Sequence, residues 1–75
     1  MRRWSDAEYE VLFRGHPPTD PHAPELAACR EIARVIRQTP DAVLSQWNDG
    51  RSVVLGHEMP LSRSLVDYVR RRGWT

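Results

Sequence analysis

Arg30, Arg34 and Arg37 recur at i, i+4 and i+7, the interval that puts three guanidinium groups on one face of a helix. A guanidinium is always charged, and its fork of donors matches the oxygens of a phosphate. Such a stripe suits either a solvated polar face or a set of contacts to a phosphate backbone. A second group follows: Ser45, Gln46 and Asn48, with Arg51 just beyond. Gln and Asn carboxamides pair with the donor and acceptor edge of adenine, and Ser can serve several base edges. At the front, Met1-Arg2-Arg3 is a short basic arm, readable as a loose terminus or as an arm along a phosphate backbone or in a minor groove. These residue types point to recognition of double-stranded DNA, with arginines positioning and amides specifying.

Other chemistries find little to work with. The sequence has no Gly-rich phosphate loop, no paired His and Cys, and no Ser, His and acid set that so short a chain would converge. Neither catalysis nor a cofactor is expected. His16 and His22 lie in a Pro-rich stretch without a Cys or carboxylate cluster at ligand spacing, so no metal is expected. A lone cysteine, Cys29, excludes an internal disulfide and falls in an apolar helix pattern, where a buried, inert thiol is expected.

The 75 residues make a single domain near the lower limit for a self-sufficient core. All eleven basic residues are Arg, and ten acids bring the net charge to +1, so DNA binding must rest on where the arginines lie rather than on bulk charge. No apolar run approaches the length of a membrane-spanning helix or a signal-peptide core. The expectation is a soluble intracellular protein, in the cytoplasm or, in a bacterium, the nucleoid.

Helices must position these groups. Ser5 with Glu8 three residues on makes a capping box, and Trp4 before it can pack on Tyr9 as a staple. Ala7, Val11 and Leu12, with Tyr9 or Phe13, supply the apolar face of this first helix, and Gly15 is a natural stop. Four of the six prolines then fall between residues 15 and 24, which predicts an extended surface loop. A second helix, from about Pro24 or Glu25 to Arg37, buries Cys29, Ile32, Ala33 and Ile36. After a break at Gln38-Thr39, Thr39 is a good N-cap, Pro40 a good first helical residue and Asp41 a favourable charge at the positive end of the dipole. The third helix, from Pro40 to about Asn48, buries Ala42, Val43 and Trp47 and exposes Asp41, Leu44 or Ser45, Gln46 and Asn48. Two helices joined by so tight a corner form a helix-turn-helix.

The residues after Trp47 admit two readings. Asp49-Gly50 between apolar flanks is a hairpin signal, which would make residues 52–55 a strand and the fold a winged helix, as in excisionase-like DNA-binding factors. Alternatively Asn48-Asp49-Gly50-Arg51 ends the third helix, followed by a turn of helix or extended chain. The second reading is preferred, because Ala42-Val43 and Trp47 keep a helical period. A fourth helix is expected from Leu61 or Ser62 to Arg72, with Leu61, Leu65, Val66 and Val69 as its apolar stripe and Tyr68 beside it. Its last turn, Arg70-Arg71-Arg72, suits the negative end of the dipole and also suits a phosphate or acidic partner. Gly73 and Trp74 would close it, with Trp74 packing back on the fourth or first helix.

Three short motifs carry a resemblance. Trp4-Ser5-Asp6-Ala7-Glu8, Cys29-x-x-Ile32-Ala33 and Thr39-Pro40-Asp41-Ala42-Val43-x-x-x-Trp47-Asn48 follow the order seen in Myb/SANT-like domains. Cys29 stands 18 residues before Trp47, the family spacing of its aromatic residues, and occupies the place of the second Trp. Trp4 to Cys29 is 25 residues, so the first loop is longer than is usual in the family. The resemblance covers about residues 2–49. It implies an all-α fold, a three-helix Myb/SANT-like helix-turn-helix bundle over about residues 4–49, to which this chain adds a C-terminal helix over about 61–72. It also implies that Asn48 matches a base-reading Asn of the DNA-binding repeats. Where those repeats often carry a Lys-Asn pair before the aromatic, this chain has Leu44-Ser45, and from Thr39 to Gly50 it has two acids and no Arg. That departure favours SANT-type members, whose acidic surfaces bind proteins.

The resulting expectation is a small DNA-binding protein and transcriptional regulator. Arg2, Arg3, Arg30, Arg34 and Arg37 hold phosphates, and Ser45, Gln46, Asn48 and Arg51 face a major groove. A homodimer or protein partner would dock on surplus apolar surface of the fourth helix, drawn from Leu61, Leu65, Val66, Tyr68 and Val69. The rival expectation is a protein-interaction module or adaptor subunit on the same fold.

Overall fold

Local capping chemistry sets where α1 and α3, two of the four described helices, begin. A computed structural model of the chain describes residues 4–57 and 62–75. Helix α1 (Asp6–Phe13) starts at Ser5, whose hydroxyl accepts the Glu8 N–H at 3.3 Å, while the Glu8 carboxylate accepts the Ser5 N–H at 3.0 Å. This reciprocal box satisfies donors that the first turn would otherwise leave orphaned, and a cap of this kind contributes about 1 kcal/mol. Trp4 stacks on Tyr9 with centroids 5.6 Å apart, so the staple forms as well. The buried face is Glu8, Tyr9, Leu12 and Phe13. Ala7, expected on that face, is exposed, because the inward face is taken by Glu8, Tyr9, Leu12 and Phe13.

Helix α2 (Leu26–Ile36) buries Cys29, Ile32, Ala33 and Ile36, as its periodicity requires. It ends at Arg37, which takes a left-handed φ of 58°, and the Gln38 N–H closes onto the Ala33 carbonyl at 3.0 Å. Thr39 then caps helix α3 (Pro40–Val54), its hydroxyl accepting the Ala42 N–H at 3.1 Å, with Pro40 at the first helical position. The tight corner between α2 and α3 is therefore present, and α3 packs more extensively on α2 than on α1 or α4.

Neither reading of Asp49-Gly50 holds. Helix α3 runs through both residues to Val54, and no strand occurs among the described residues, so there is no winged-helix hairpin. Tertiary packing explains the continuation. Val43, Trp47 and Gly50 lie at i, i+4 and i+7 on the buried face, and Val53 and Val54 carry that face on against the core. Gly50 lets the helix approach the Phe13 ring, which a Cβ would meet at 2.6 Å. The stop comes instead at Gly56, with φ 77°, whose N–H bonds Val53 O at 3.1 Å while His57 N–H bonds Ser52 O at 2.8 Å, a Schellman closure.

Helix α4 (Arg63–Arg71) lies against α3 and α1. Its own Schellman closure uses Gly73 and Trp74, whose N–H groups bond Arg70 O at 3.0 Å and Val69 O at 3.1 Å. That turn sends Trp74 back onto Phe13 and Tyr68 in edge-to-face contacts of 5.6 and 5.8 Å. Tyr9, Phe13, Tyr68 and Trp74 thus form one aromatic cluster between α1 and α4. The added helix completes the hydrophobic core, since Leu65, Tyr68 and Val69 are at most 2% exposed. The radius of gyration of 11.3 Å equals the roughly 11 Å of a packed domain of this length, so α4 is integral to one body.

Candidate nucleic-acid interface

Arg30, Arg34, Arg37, Ser45 and Asn48, among the groups that the sequence singles out, are exposed at or beside the α2–α3 corner. Arg30 and Arg34 are exposed on α2, and Arg37 is exposed at the corner itself. Arg34 lies 3.8 Å from Glu31, with side chains 78% and 66% exposed, so solvent screens this pair and leaves the guanidinium available. On α3, Asp41, Ser45 and Asn48 are exposed at i, i+4 and i+7 and define its outward stripe. Leu44 is partly buried against the core, which settles the outward choice between Leu44 and Ser45 in favour of Ser45.

Gln46 and Arg51 are placed differently from this stripe. Gln46 is half-buried, and its Oε1 is enclosed without a hydrogen-bond partner. Its amide is therefore not displayed as Asn48 is. Arg51 is half-buried and its Nε donates to the Asp20 carbonyl at 2.7 Å. That bond braces the Pro-rich loop against α3, together with Pro18, which is buried near Gly50. Arg2, Arg3 and Leu61 lie outside the described residues.

Charge on α3 is mixed. Asp41 stands in the first turn, where the helix dipole favours it. Asp49 is half-buried, and burial pushes its carboxyl above the usual value of 3.8. Of Arg70, Arg71 and the C-cap residue Arg72 at the end of α4, two have partners on α1. Arg71 donates to Asp6 at 2.6 Å, and Arg72 lies 3.8 Å from Glu10 and 5.6 Å from the Trp74 ring centroid. Asp6 and Glu10 sit at i and i+4 on α1, a spacing that complements this basic turn and that the sequence alone did not connect to it.

The expected docking face on α4 is not at the surface. Leu65, Tyr68 and Val69 are core residues and Val66 is half-buried, because α4 spends its apolar stripe on α1 and α3. The Tyr68 hydroxyl is buried with no partner in hydrogen-bonding geometry, yet the Glu10 carboxylate is close enough to act on it. Burial, reinforced by Glu10, pushes the Tyr68 phenol up to about 12. Cys29 is buried and its thiol is raised by that burial. Among the described residues no group of three His, Cys, Asp or Glu could hold a metal ion, and no helix is long and apolar enough to cross a membrane. Comparison with protein families, with known proteins and with solved structures gives no match.

Proposed function

We propose that this chain is a small DNA-binding protein of the Myb/SANT-like helix-turn-helix kind, acting as a transcriptional regulator. One observation carries the reading. A three-residue corner that exposes Arg37 leaves Ser45 and Asn48 exposed on α3, directly after a helix that exposes Arg30 and Arg34. In this mechanism α2 crosses the phosphate backbone, its arginines neutralising phosphates, while Ser45 and Asn48 meet base edges in the major groove. Gln46 joins them only if its side chain turns outward, and Arg51 only if it leaves Asp20. With Asp41 on the same stripe and no Arg between Pro40 and Gly50, a single domain binds weakly, and a second copy or a partner protein supplies the remaining affinity.

Fluorescence anisotropy against duplex DNA, titrated from about 50 to 200 mM salt, tests the reading over the range where phosphate contacts lose most of their affinity. Steep loss of binding supports it. Asn48→Ala should relax sequence preference, and Arg30→Ala should weaken binding to every sequence and lower the salt slope by about one. Equal effects of both substitutions on specific and random duplexes would defeat this division of roles.

A second reading, a protein-interaction module or adaptor, draws on the exposure of Leu26 and Val35, 58% and 66%, on α2. Isolated apolar side chains are common on surfaces, so this observation weighs less than the corner. Absence of DNA binding at the lowest salt, together with recovery of a stoichiometric protein partner, would replace the first reading with this one.

A further inference from the structure

We propose that Glu8 and Gln38 form a positioning pair that holds the α2–α3 corner against α1 and so limits the angle between α2 and α3, and with it the presentation of Ser45 and Asn48. The pair itself stands on geometry, while its functional consequence rests on the DNA-binding reading.

Gln38 Nε2 donates to Glu8 Oε2 at 3.2 Å, joining residues 30 apart in the chain. Glu8 is 8% exposed and is the one charged side chain buried among the described core residues. Its other oxygen, Oε1, is held by the Ser5 N–H at 3.0 Å and the Ser5 hydroxyl at 3.2 Å. The start of α1 therefore orients the carboxylate, and its Oε2 meets the corner. Gln38 is equally constrained, because it follows the left-handed Arg37, its own N–H closes α2 onto Ala33, and its neighbour Thr39 caps α3.

Only the dihedrals of Arg37, Gln38 and Thr39 separate the two helices, so a side-chain tether at the middle residue limits the angle the corner can take. A hydrogen bond to a carboxylate is stronger than one between neutral groups, and partial burial protects it from solvent competition. The capping box has thus a second role besides starting α1. It holds a carboxylate in place for a residue 30 positions away in the chain.

A swap tests the pair. Gln38→Leu removes the donor. Glu8→Gln keeps an acceptor for Ser5 but turns an amide toward the corner. The double variant Glu8→Gln/Gln38→Glu reverses donor and acceptor and rebuilds the bond. In isotope-labelled protein, Gln38→Leu and Glu8→Gln should each shift the backbone amide resonances of Ala42 and Val43, which bond to Thr39 at the start of α3, and speed their hydrogen exchange, and the double variant should restore both. Affinity for a specific duplex should follow, falling about tenfold in each single variant, equivalent to about 1.4 kcal/mol, and returning in the double. Restoration by the swap is the result a general loss of stability would not produce.

Unchanged corner resonances in the single variants would overturn the proposal, and so would a double variant that fails to recover them. If Gln38→Leu does not fold, Glu8→Gln alone against the double variant makes the same comparison. Should no form of the protein bind DNA while the corner resonances respond and recover as stated, the positioning pair stands and the DNA-binding reading falls.

Discussion

Gly50→Ala sets helix propensity against packing, and the two terms have opposite signs. In the interior of α3, replacing Gly by Ala gains about 1 kcal/mol from backbone entropy alone. The added methyl, however, would fall 2.6 Å from Phe13 Cζ and 3.0 Å from Cε1, with Pro18 Cγ at 3.4 Å on another side. Phe13 has no easy retreat. The residue is 4% exposed, and its ring centroid lies 6.2 Å from that of Tyr9, 6.1 Å from that of Tyr68 and 5.6 Å from that of Trp74, the last in a near-perpendicular arrangement. Overpacking of a filled core costs about 1 to 3 kcal/mol, and a trapped ring places this site in the upper part of that range. The expected net loss is about 1 to 2 kcal/mol, and each kcal/mol lowers the melting temperature of so small a domain by about 4 to 8 °C. Thermal unfolding followed by far-ultraviolet circular dichroism reads the change. In a Phe13→Leu background the obstructing ring atoms are gone, and Gly50→Ala should become neutral or stabilising, a coupling between the two sites. An Ala variant at least as stable as the parent in the unaltered background would refute the close approach of α3 to Phe13.

Arg37→Gly should stabilise the fold by about 0.5 to 1 kcal/mol in denaturant unfolding, because relief of the left-handed strain exceeds the entropy gained by the unfolded chain. On the proposed DNA-binding reading the same substitution should weaken binding and reduce its salt slope by about one, so stability and affinity would move in opposite directions; a variant that loses stability would refute the strain argument. Tyr68 makes stability sensitive to alkali. Its folded-state pKa is raised from 10.0 to about 12, so the protonated phenol's contribution is fully present below about pH 10 and is lost as pH rises toward 12. Tyr68→Phe should remove that part of the alkaline loss in a pH series of unfolding curves, and at neutral pH should be neutral or stabilising by up to about 1 kcal/mol, since no bonded partner is lost. A clear loss at neutral pH would mean that the hydroxyl is bonded to Glu10.

Much of this protein was decided within a few neighbouring residues and was legible there. The box of Ser5 and Glu8, the Trp4 staple, the buried set of Cys29, Ile32, Ala33 and Ile36, and the corner at Thr39-Pro40 depend on side chains meeting backbone groups three or four positions away. Gly73 and Trp74 likewise closed α4 through local bonds to Arg70 and Val69. The exposure of Ser45 and Asn48 followed from helical period once the corner was placed.

Tertiary structure decided what depends on partners distant in the chain. Gly50 carries an ordinary turn signal by itself, and only the Phe13 ring packed against it makes a glycine the residue that lets α3 continue. The apolar stripe of α4 shows that the helix must bury one face but not against what; α1 and α3 take it, so it is core rather than a docking surface. Arg51 and Gln46 have the composition of contact residues, yet a bond to Asp20 and an enclosed amide oxygen give them other surroundings. Glu8 reads as a cap from its neighbours, and its reach to Gln38 exists only in the folded bundle. Local hydrogen bonds fix where helices start and stop within one or two turns, whereas the choice of which faces meet is a property of the whole core, in which each side chain's cost or gain depends on what the rest of the chain places beside it.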